Sequence, residues 1–193
     1  GIGHTRWATH GEPSDRNAHP HADCRGTVAV VHNGQLTNYQ ALKKQLVSQG
    51  HTFQSDTDTE VLAHLLEDFR KDGDDLVTAV QKTTQLIVGG TFALVAIDAA
   101  TPNTLVAACM GSPLYIGLAD DGLFLASDHR AFRAHTDQSV QLKDGQMAVI
   151  NADRTYRVLT FDNQHARHDI QQLKYQLEDI EKGLFTTFME KEI

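Results

Sequence analysis

Apolar positions along this 193-residue chain change their spacing near residue 90. Between residues 37 and 87 they recur every three or four positions, which is the spacing of amphipathic helices. After residue 90 they come as short runs rich in β-branched residues, separated by turn-forming pairs, which is typical of a β meander. This order of blocks predicts an α+β fold in which sheets pack on each other and helices lie outside.

Three helices are predicted in the first block. One covers residues 37–50, a second begins near Thr57, and a third runs from about residue 76 to 87. Thr37 and Thr57 each precede a Gln or Glu by three positions, which is the spacing of a capping box. Gly50 suits the position just past a helix end, where a left-handed backbone is common.

Strands are predicted on both sides of the helical block. Before it lies the β-branched run 26–34, and residues 1–25 are predicted to be rich in loops. After it, strands are predicted at 91–99, 104–112, 114–120, 122–128, 146–151 and 155–161. The closing segment, 173–193, is polar and is predicted to be helical or extended.

The composition narrows the class of protein. A hydrophobic content of 40% in 193 residues suffices for one well-buried domain, so we expect a single domain spanning 1–193. A net charge of −8 without a Lys/Arg run argues against nucleic acid or an anionic membrane as partner. The apolar runs are too short for a bilayer-spanning helix. Two cysteines do not make a disulfide framework, which favours a cytoplasmic location.

The segment VVHNG at 30–34 raises the first chemical question. Asn-Gly after a strand is normally a hairpin turn. Here the residues from Gln35 onward lead into a predicted helix, which places Asn33 and Gly34 at a strand-to-helix transition. An Asn amide and a Gly N–H directed at one spot would form an oxyanion hole. A simple turn is the alternative.

Two further places offer charge for recognising a small ligand. The guanidinium of Arg6 presents a planar fork suited to a carboxylate, and the neighbouring indole of Trp7 can cover a ligand. The alternative is an Arg stacked on Trp or paired with an acid. Asp56 and Asp58 stand at the predicted helix start, where capping explains Thr57 and Glu60 without needing both aspartates. One of them is available for a ligand ammonium.

Histidines are frequent near the N-terminus. His10, His19 and His21 together would suit zinc, but no Cys or carboxylate completes a familiar ligand spacing. Hydrogen-bonded loop histidines are the favoured interpretation, and we expect neither a metal site nor a cofactor.

The two thiols differ in their surroundings. Cys109 sits in an apolar strand and is predicted to behave as a small core residue. Cys24 lies beside Arg25, which would lower its pKa, but no partner base stands out. A nucleophilic role for Cys24 is therefore a minor alternative.

Several segments together carry a resemblance to a known family. In chain order these are HTRWATHGEP at 4–13, NAHPH at 17–21, VVHNG at 30–34, SDTDTEV at 55–61, GSPL at 111–114, LASD at 125–128 and FMEKEI at 188–193. Together they resemble the glutaminase domain of glutamine–fructose-6-phosphate aminotransferase (glucosamine-6-phosphate synthase), a class II glutamine amidotransferase. The resemblance covers the whole chain, and the combination of motifs is more specific than any one of them.

The resemblance implies an N-terminal-nucleophile hydrolase fold, an αββα sandwich, with L-glutamine as ammonia donor. It implies that Arg6 binds the glutamine α-carboxylate and that Asp58 binds its α-ammonium. The loop residues Trp7, Thr9 and His10 would line the substrate and close over it. The oxyanion hole would be formed by Asn33 and Gly34.

The chain departs from the family at its start. The family's nucleophile is a Cys at the mature N-terminus, whereas residue 1 here is Gly. We therefore expect a fragment that lacks the nucleophile, the first strands and the downstream sugar isomerase domain, and that is inactive alone. Exposed sheet edges would favour a homo-oligomer.

The resemblance also implies a reaction for the parent enzyme. Its glutamine amide nitrogen would pass to fructose 6-phosphate, giving glucosamine 6-phosphate and glutamate for amino sugar biosynthesis. Sugar phosphate would be a partner only through the missing domain. The alternatives are a non-catalytic glutamine-binding regulatory module, or an amidotransferase domain with a different ammonia acceptor.

Overall fold

A computed structural model of the chain describes residues 1–6 and 9–173. Within them lie three α-helices, α1 (Tyr39–Ser48), α2 (Glu60–Lys71) and α3 (Leu76–Leu86), and two short 3-10 helices, Asp15–Asn17 and His129–Phe132. The strands of the described part are β1 (His21–Ala22), β2 (Val28–Leu36), β3 (Gly90–Asp98), β4 (Thr104–Met110), β5 (Tyr115–Leu118), β6 (Leu123–Ala126), β7 (Gln138–Gln141), β8 (Gln146–Asn151), β9 (Tyr156–Thr160) and β10 (Gln171–Gln172).

The strands form two antiparallel sheets. The larger has the order β1-β2-β3-β4-β8-β9 and the smaller the order β10-β7-β5-β6. The chain therefore leaves the first sheet after β4, builds most of the second, and returns at β8. This division is not visible in the sequence, where all these runs form one meander.

Alternation along β2 assigns its side chains to two different cores. Val30 points into a core that the six-stranded sheet forms with α2 and α3, where it meets Leu62 and Leu66. Val31 points the other way, into a core between the two sheets that includes Ile116 and Val140. Helices thus cover one face of the large sheet and the second sheet covers the other. The expected α+β fold with stacked sheets is confirmed.

The predicted capping boxes are wrong. α1 begins two residues after Thr37, and α2 begins at Glu60 itself. The Glu60 carboxylate accepts the backbone N–H groups of Gln54 and Ser55, each at 2.6 Å, rather than reaching back to Thr57. The carboxylate therefore ties down the loop that precedes α2.

Other local predictions hold. Gly50 follows α1 with a φ of 99°, as expected for its position past a helix end. The third helix lies where apolar spacing predicts it, and Asp75 caps it by accepting the Thr78 N–H at 2.7 Å.

The pattern does not predict the strand β7, because its sequence QSVQ has one apolar residue. The closing segment lies outside the described residues after 173.

No helix in the described part of the chain is long and apolar enough to cross a membrane.

Candidate functional site

A cleft of about 230 Å³ lies beside the second half of β2. Every expected site residue that the structure describes lines this cleft: Arg6, Thr9, His10, Asn33, Gly34 and Asp58. Trp7 lies outside the described residues. Tertiary packing thus brings the N-terminal loop, β2 and the segment before α2 to one place.

The local setting of Asn33 and Gly34 differs from the prediction. They lie inside β2, which continues to Leu36, and not at a strand-to-helix transition or in a hairpin turn. Asn33 pairs opposite Ala93 and Gly34 opposite Phe92 on β3. Pairing with β3 carries the strand past the point where the residue pattern suggested an end.

Gly34 occupies a position that no other residue fits. Its φ is 129°, and a Cβ built there would lie 2.0 Å from the Thr91 carbonyl oxygen. Both the backbone conformation and the close approach of β3 therefore require glycine.

Hydrogen bonds orient the Asn33 amide. The Arg6 backbone N–H donates to His4 Nδ1 at 2.9 Å, so the ring proton sits on Nε2. His4 Nε2 then donates to Asn33 Oδ1 at 2.9 Å. The Asn33 Nδ2 group donates to Ser127 Oγ at 2.9 Å. The amide is held at both ends, with its donor group on the side of Ser127.

Arg6 holds the loop that forms one wall of the cleft. Its guanidinium donates to the carbonyl oxygens of His10 at 2.7 Å, Gly11 at 2.8 Å and Glu12 at 3.2 Å. Three of its five N–H donors are used in these bonds. The side chain therefore positions residues 10–12 and also brings a positive charge to the cleft.

Of the two candidate aspartates, Asp58 is the one in the cleft. Its buried carboxylate accepts the Leu36 N–H through Oδ2 at 2.9 Å. Its Oδ1 lies 3.9 Å from His10 Nδ1, which has no hydrogen-bond partner among the described residues. Asp56 instead faces solvent and pairs with Arg16 at 2.8 Å.

The remaining histidines of the cleft are neutral. Burial, together with the neighbouring His4 and His21, lowers the pKa of His19 to about 3. Burial likewise lowers the pKa of His32 to about 4. Both rings line the cleft. The His19 ring stacks on His4 with 4.3 Å between the ring centroids, and His32 Nδ1 lies within hydrogen-bond distance, 2.9 Å, of Thr59 Oγ1.

Sequence reasoning assigns no part in the proposed ligand site to four of its residues. His4, His19 and His32 belong to the motifs at 4–13, 17–21 and 30–34, but His19 is considered only as a zinc ligand, and hydrogen-bonded loop histidines are the favoured interpretation. Ser127 belongs to the LASD motif, which carries the resemblance without indicating a function for this residue. The motifs mark these positions in the sequence, but only the packing of the folded chain brings the side chains together.

Neither cysteine of the chain lines the cleft. Cys109 is buried in β4, where burial and Asp144 raise its pKa to about 12, in keeping with a core role. The pKa of Cys24 is raised by burial and by Glu67, which corrects the expectation that Arg25 lowers it. Arg25 Nε instead lies 3.8 Å from Glu67 Oε1.

Comparison with known proteins identifies the class of protein to which this fold and cleft belong. Residues 1–182 match the sequence profile described as the glutamine amidotransferase domain. The chain therefore belongs to the glutamine amidotransferase domain family.

Two named relatives are similar to this chain over its whole length. The chain is 45% identical to glutamine–fructose-6-phosphate aminotransferase of Chlorobaculum tepidum, covering 100% of this chain and 31% of the relative. It is 44% identical to the enzyme of the same name from Pyrococcus horikoshii, covering 100% and 32%. The chain thus spans about a third of the length of these relatives.

A solved structure shows the same architecture. Glutamine phosphoribosylpyrophosphate amidotransferase from B. subtilis, complexed with ADP and GMP, superposes with a TM-score of 0.67 at 29% identity. The match covers 85% of this chain and 35% of that one. The expected N-terminal-nucleophile hydrolase fold is confirmed.

Proposed function

We propose that the cleft binds L-glutamine and that the chain is the glutamine-binding part of a glutamine-dependent aminotransferase. The observation that carries this proposal is the presence of the Arg6 guanidinium and the buried Asp58 carboxylate in one cleft. A free amino acid presents one carboxylate and one ammonium, so it complements this pair of charges. Family membership supports the same ligand.

Each charge has a defined part in the proposal. Arg6 binds the glutamine α-carboxylate with donors that are not used on the loop 10–12. Asp58 Oδ1 receives the α-ammonium, since Oδ2 is already engaged by Leu36. Thr9 and His10 line the side of the bound amino acid, and Trp7 is assigned to the same loop by resemblance alone.

The oxyanion contact falls to Asn33 and Gly34. A carbonyl that is attacked by a nucleophile develops negative charge on its oxygen, and preorganised donors stabilise that charge. Asn33 is preorganised because His4 and Ser127 hold its amide at both ends. Gly34 adds its backbone N–H in a strand position that only glycine can take.

The nucleophile that would attack the glutamine amide is not among the residues assigned above. A thiol is the nucleophile that the family resemblance implies, and both cysteines of this chain lie away from the cleft. The 193-residue chain by itself therefore binds glutamine without hydrolysing it. In the complete protein, the names of the relatives suggest fructose 6-phosphate as nitrogen acceptor and glucosamine 6-phosphate as product.

We propose further that residues 1–193 form one domain, that this domain functions in the cytoplasm, and that it self-associates. Self-association is supported by β6, which lies at an edge of the smaller sheet in the described part of the chain.

Calorimetric titration of L-glutamine into the wild-type chain and into Asp58→Asn tests the ligand. Asparagine keeps an oxygen for the Leu36 N–H and removes only the charge. We expect saturable binding by the wild type and at least about tenfold weaker binding by the variant. The matched control is Asp56→Asn, which changes an exposed carboxylate of the same loop and is expected to bind like the wild type.

A ligand control completes the experiment. Glutaramate, which is glutamine without its α-amino group, is expected to bind wild type and Asp58→Asn with equal, weak affinity. Absence of glutamine binding by a folded wild-type chain would contradict the proposal, as would equal glutamine affinity in wild type and Asp58→Asn.

A further inference from the structure

A second cluster of polar side chains lies apart from the glutamine cleft. It joins Cys24 in the loop between β1 and β2, His51 in the segment after α1, and His64 and Glu67 on α2. One ligand atom from each lies within 4.8 Å of the others. The side chains of His51, His64 and Glu67 are only 3%, 1% and 3% exposed, so they are closed off from bulk solvent.

Five of the six distances between the four ligand atoms match those of a tetrahedral site, and the sixth, from Cys24 Sγ to Glu67 Oε2, is within 4.8 Å. Cys24 Sγ lies 3.6 Å from both His51 Nδ1 and His64 Nδ1, and these two nitrogens are 3.2 Å apart. Glu67 Oε2 lies 3.2 Å from His51 Nδ1 and 3.5 Å from His64 Nδ1. Zinc bonds of about 2.0–2.3 Å at tetrahedral angles place ligand atoms roughly 3.3–3.6 Å apart.

The outer nitrogens of both histidines face carboxylates. His51 Nε2 lies 2.9 Å from Asp68 Oδ1, and His64 Nε2 lies 3.5 Å from Glu60 Oε1. The hydrogen bond to Asp68 places the ring proton of His51 on Nε2 and leaves a lone pair on Nδ1, whereas His64 Nε2 has no hydrogen-bond partner among the described residues. Metal-binding histidines are oriented in this way, with the second nitrogen donating to a carboxylate.

The inner atoms then lack a shared partner. The Nδ1 atoms of His51 and His64, the Glu67 Oε2 atom and the Cys24 thiol converge on one point, where the S–H proton can serve only one acceptor at a time. A proton bridges two acceptors, whereas a cation serves all four. The other oxygen of Glu67 is held by Lys71 Nζ at 2.9 Å, while Oε2 accepts the Cys24 backbone N–H at 3.1 Å and has a second lone pair for the cluster.

We propose that Cys24, His51, His64 and Glu67 bind one Zn²⁺ ion as a structural site. Cysteine, histidine and carboxylate in tetrahedral array are the ligands that zinc prefers. On binding, the Cys24 thiol releases its proton to solvent, so that thiolate and carboxylate together balance the two charges of the ion. Four protein ligands close the coordination shell, which is the arrangement of a structural rather than a catalytic zinc.

The ion would connect three segments that are distant in sequence. It ties the turn before β2 and the segment after α1 to the middle of α2. The same helix begins two residues after Asp58, so the site would help to fix α2 against β2. This inference does not depend on the proposed function.

Metal content of the wild-type chain is the first test. The purified 193-residue chain is loaded with excess zinc, dialysed, and analysed by mass spectrometry of the metal. We expect about one tightly held zinc per chain. Co²⁺ in its place is expected to give the strong visible absorption of tetrahedral cobalt and a thiolate-to-cobalt charge-transfer band. Retention of much less than one zinc, or an octahedral cobalt spectrum, would overturn the proposal.

Variants assign the ligands. Cys24→Ser and His64→Ala are each expected to weaken zinc binding at least tenfold in competition with a coloured chelator, and Cys24→Ser to abolish the charge-transfer band. Cys109→Ala removes the other thiol of the chain and is expected to keep both stoichiometry and band. Full retention of zinc in Cys24→Ser and His64→Ala would place the ion elsewhere and overturn the proposal.

Folding is checked separately. Removal of zinc from the wild type by chelation is expected to lower its melting temperature, and addition of zinc to restore it. If a variant does not fold, the wild-type stoichiometry and cobalt spectrum still decide the question.

Discussion

The Asp58 carboxylate accepts the backbone N–H of Leu36 at 2.9 Å. This bond joins the segment before α2 to the last residue of β2, three residues beyond Asn33. This hydrogen bond therefore connects the proposed ammonium site directly to the strand that carries the proposed oxyanion site. A displacement of the start of α2 would move both parts of the glutamine cleft relative to each other.

The 193-residue chain is expected to release no glutamate from glutamine at an appreciable rate. Removing a nucleophile leaves only the residual catalysis that binding and oxyanion contacts supply. A coupled glutamate assay on the wild-type chain measures this directly, with Cys24→Ala in parallel. Turnover that disappears in Cys24→Ala would show that Cys24 reaches the substrate and would contradict the assignment of both cysteines.

Gly34→Ala is expected to lower the free energy of unfolding by about 3 kcal/mol or more, because the new Cβ would collide with the Thr91 carbonyl. Gly50→Ala is the matched control. Gly50 also has a positive φ, but a Cβ added there would meet no atom within 4 Å, so a cost of about 1 kcal/mol is expected. Urea unfolding of both variants measures the difference. Equal losses would mean that backbone conformation alone, and not contact with β3, requires glycine at position 34.

Glu60 is expected to make the fold sensitive to acid. Burial alone would raise its pKa, but His64 and the N–H groups of Gln54 and Ser55 outweigh burial and lower the pKa to about 2. The unfolded chain binds this proton near pH 4.5. The stabilisation is therefore complete above pH 4.5 and is lost as the pH falls towards 2, with a total on the order of 3 kcal/mol.

Urea unfolding from pH 7 to pH 2 tests this for Glu60→Gln. The variant is expected to be less stable at pH 7 and to show a flatter pH profile than the wild type. Glu12→Gln, which changes an exposed carboxylate, serves as control. A parallel profile for Glu60→Gln and the wild type would show that another carboxylate carries the acid sensitivity.

His19 is expected to remain neutral in the folded chain down to about pH 3. The unfolded chain takes up this proton near its ordinary value of 6.5. Stability from this group is thus complete above pH 6.5 and declines as the pH falls towards 3. The ring resonance of His19, followed by NMR, should stay constant between pH 7 and pH 4. A titration midpoint near 6.5 would show that the ring is open to solvent.

Local elements were the most predictable part of the fold. Apolar spacing places both ends of α1 and α3, and the start of α2, within three residues of their observed bounds, because burial of one helix face imposes that spacing. Helix starts were less predictable. Glu60 has capping-box spacing from Thr57, yet its carboxylate turns to Gln54 and Ser55, which only the folded loop brings within reach.

The site was predictable where a motif carried it. The resemblance pointed to Arg6, Asn33 and Asp58, and packing brings these residues to one cleft. It did not reveal that Arg6 uses three donors on the loop 10–12, or that His4 and Ser127 hold the Asn33 amide. Such contacts depend on which side chains face each other across β2 and its neighbours, and one residue pattern is compatible with many such pairings.

By itself the sequence determined the fold class, the family, the three helices and most strands, since these follow from local spacing and from motifs in a particular order. Tertiary structure alone decided how the strands divide between two sheets, where β2 ends and which residues share the cleft. It also decided the convergence of Cys24, His51, His64 and Glu67, whose irregular spacing carries no periodic signal. The physical reason is that burial leaves a local trace in the chain, whereas contacts between distant residues exist only once the layers pack.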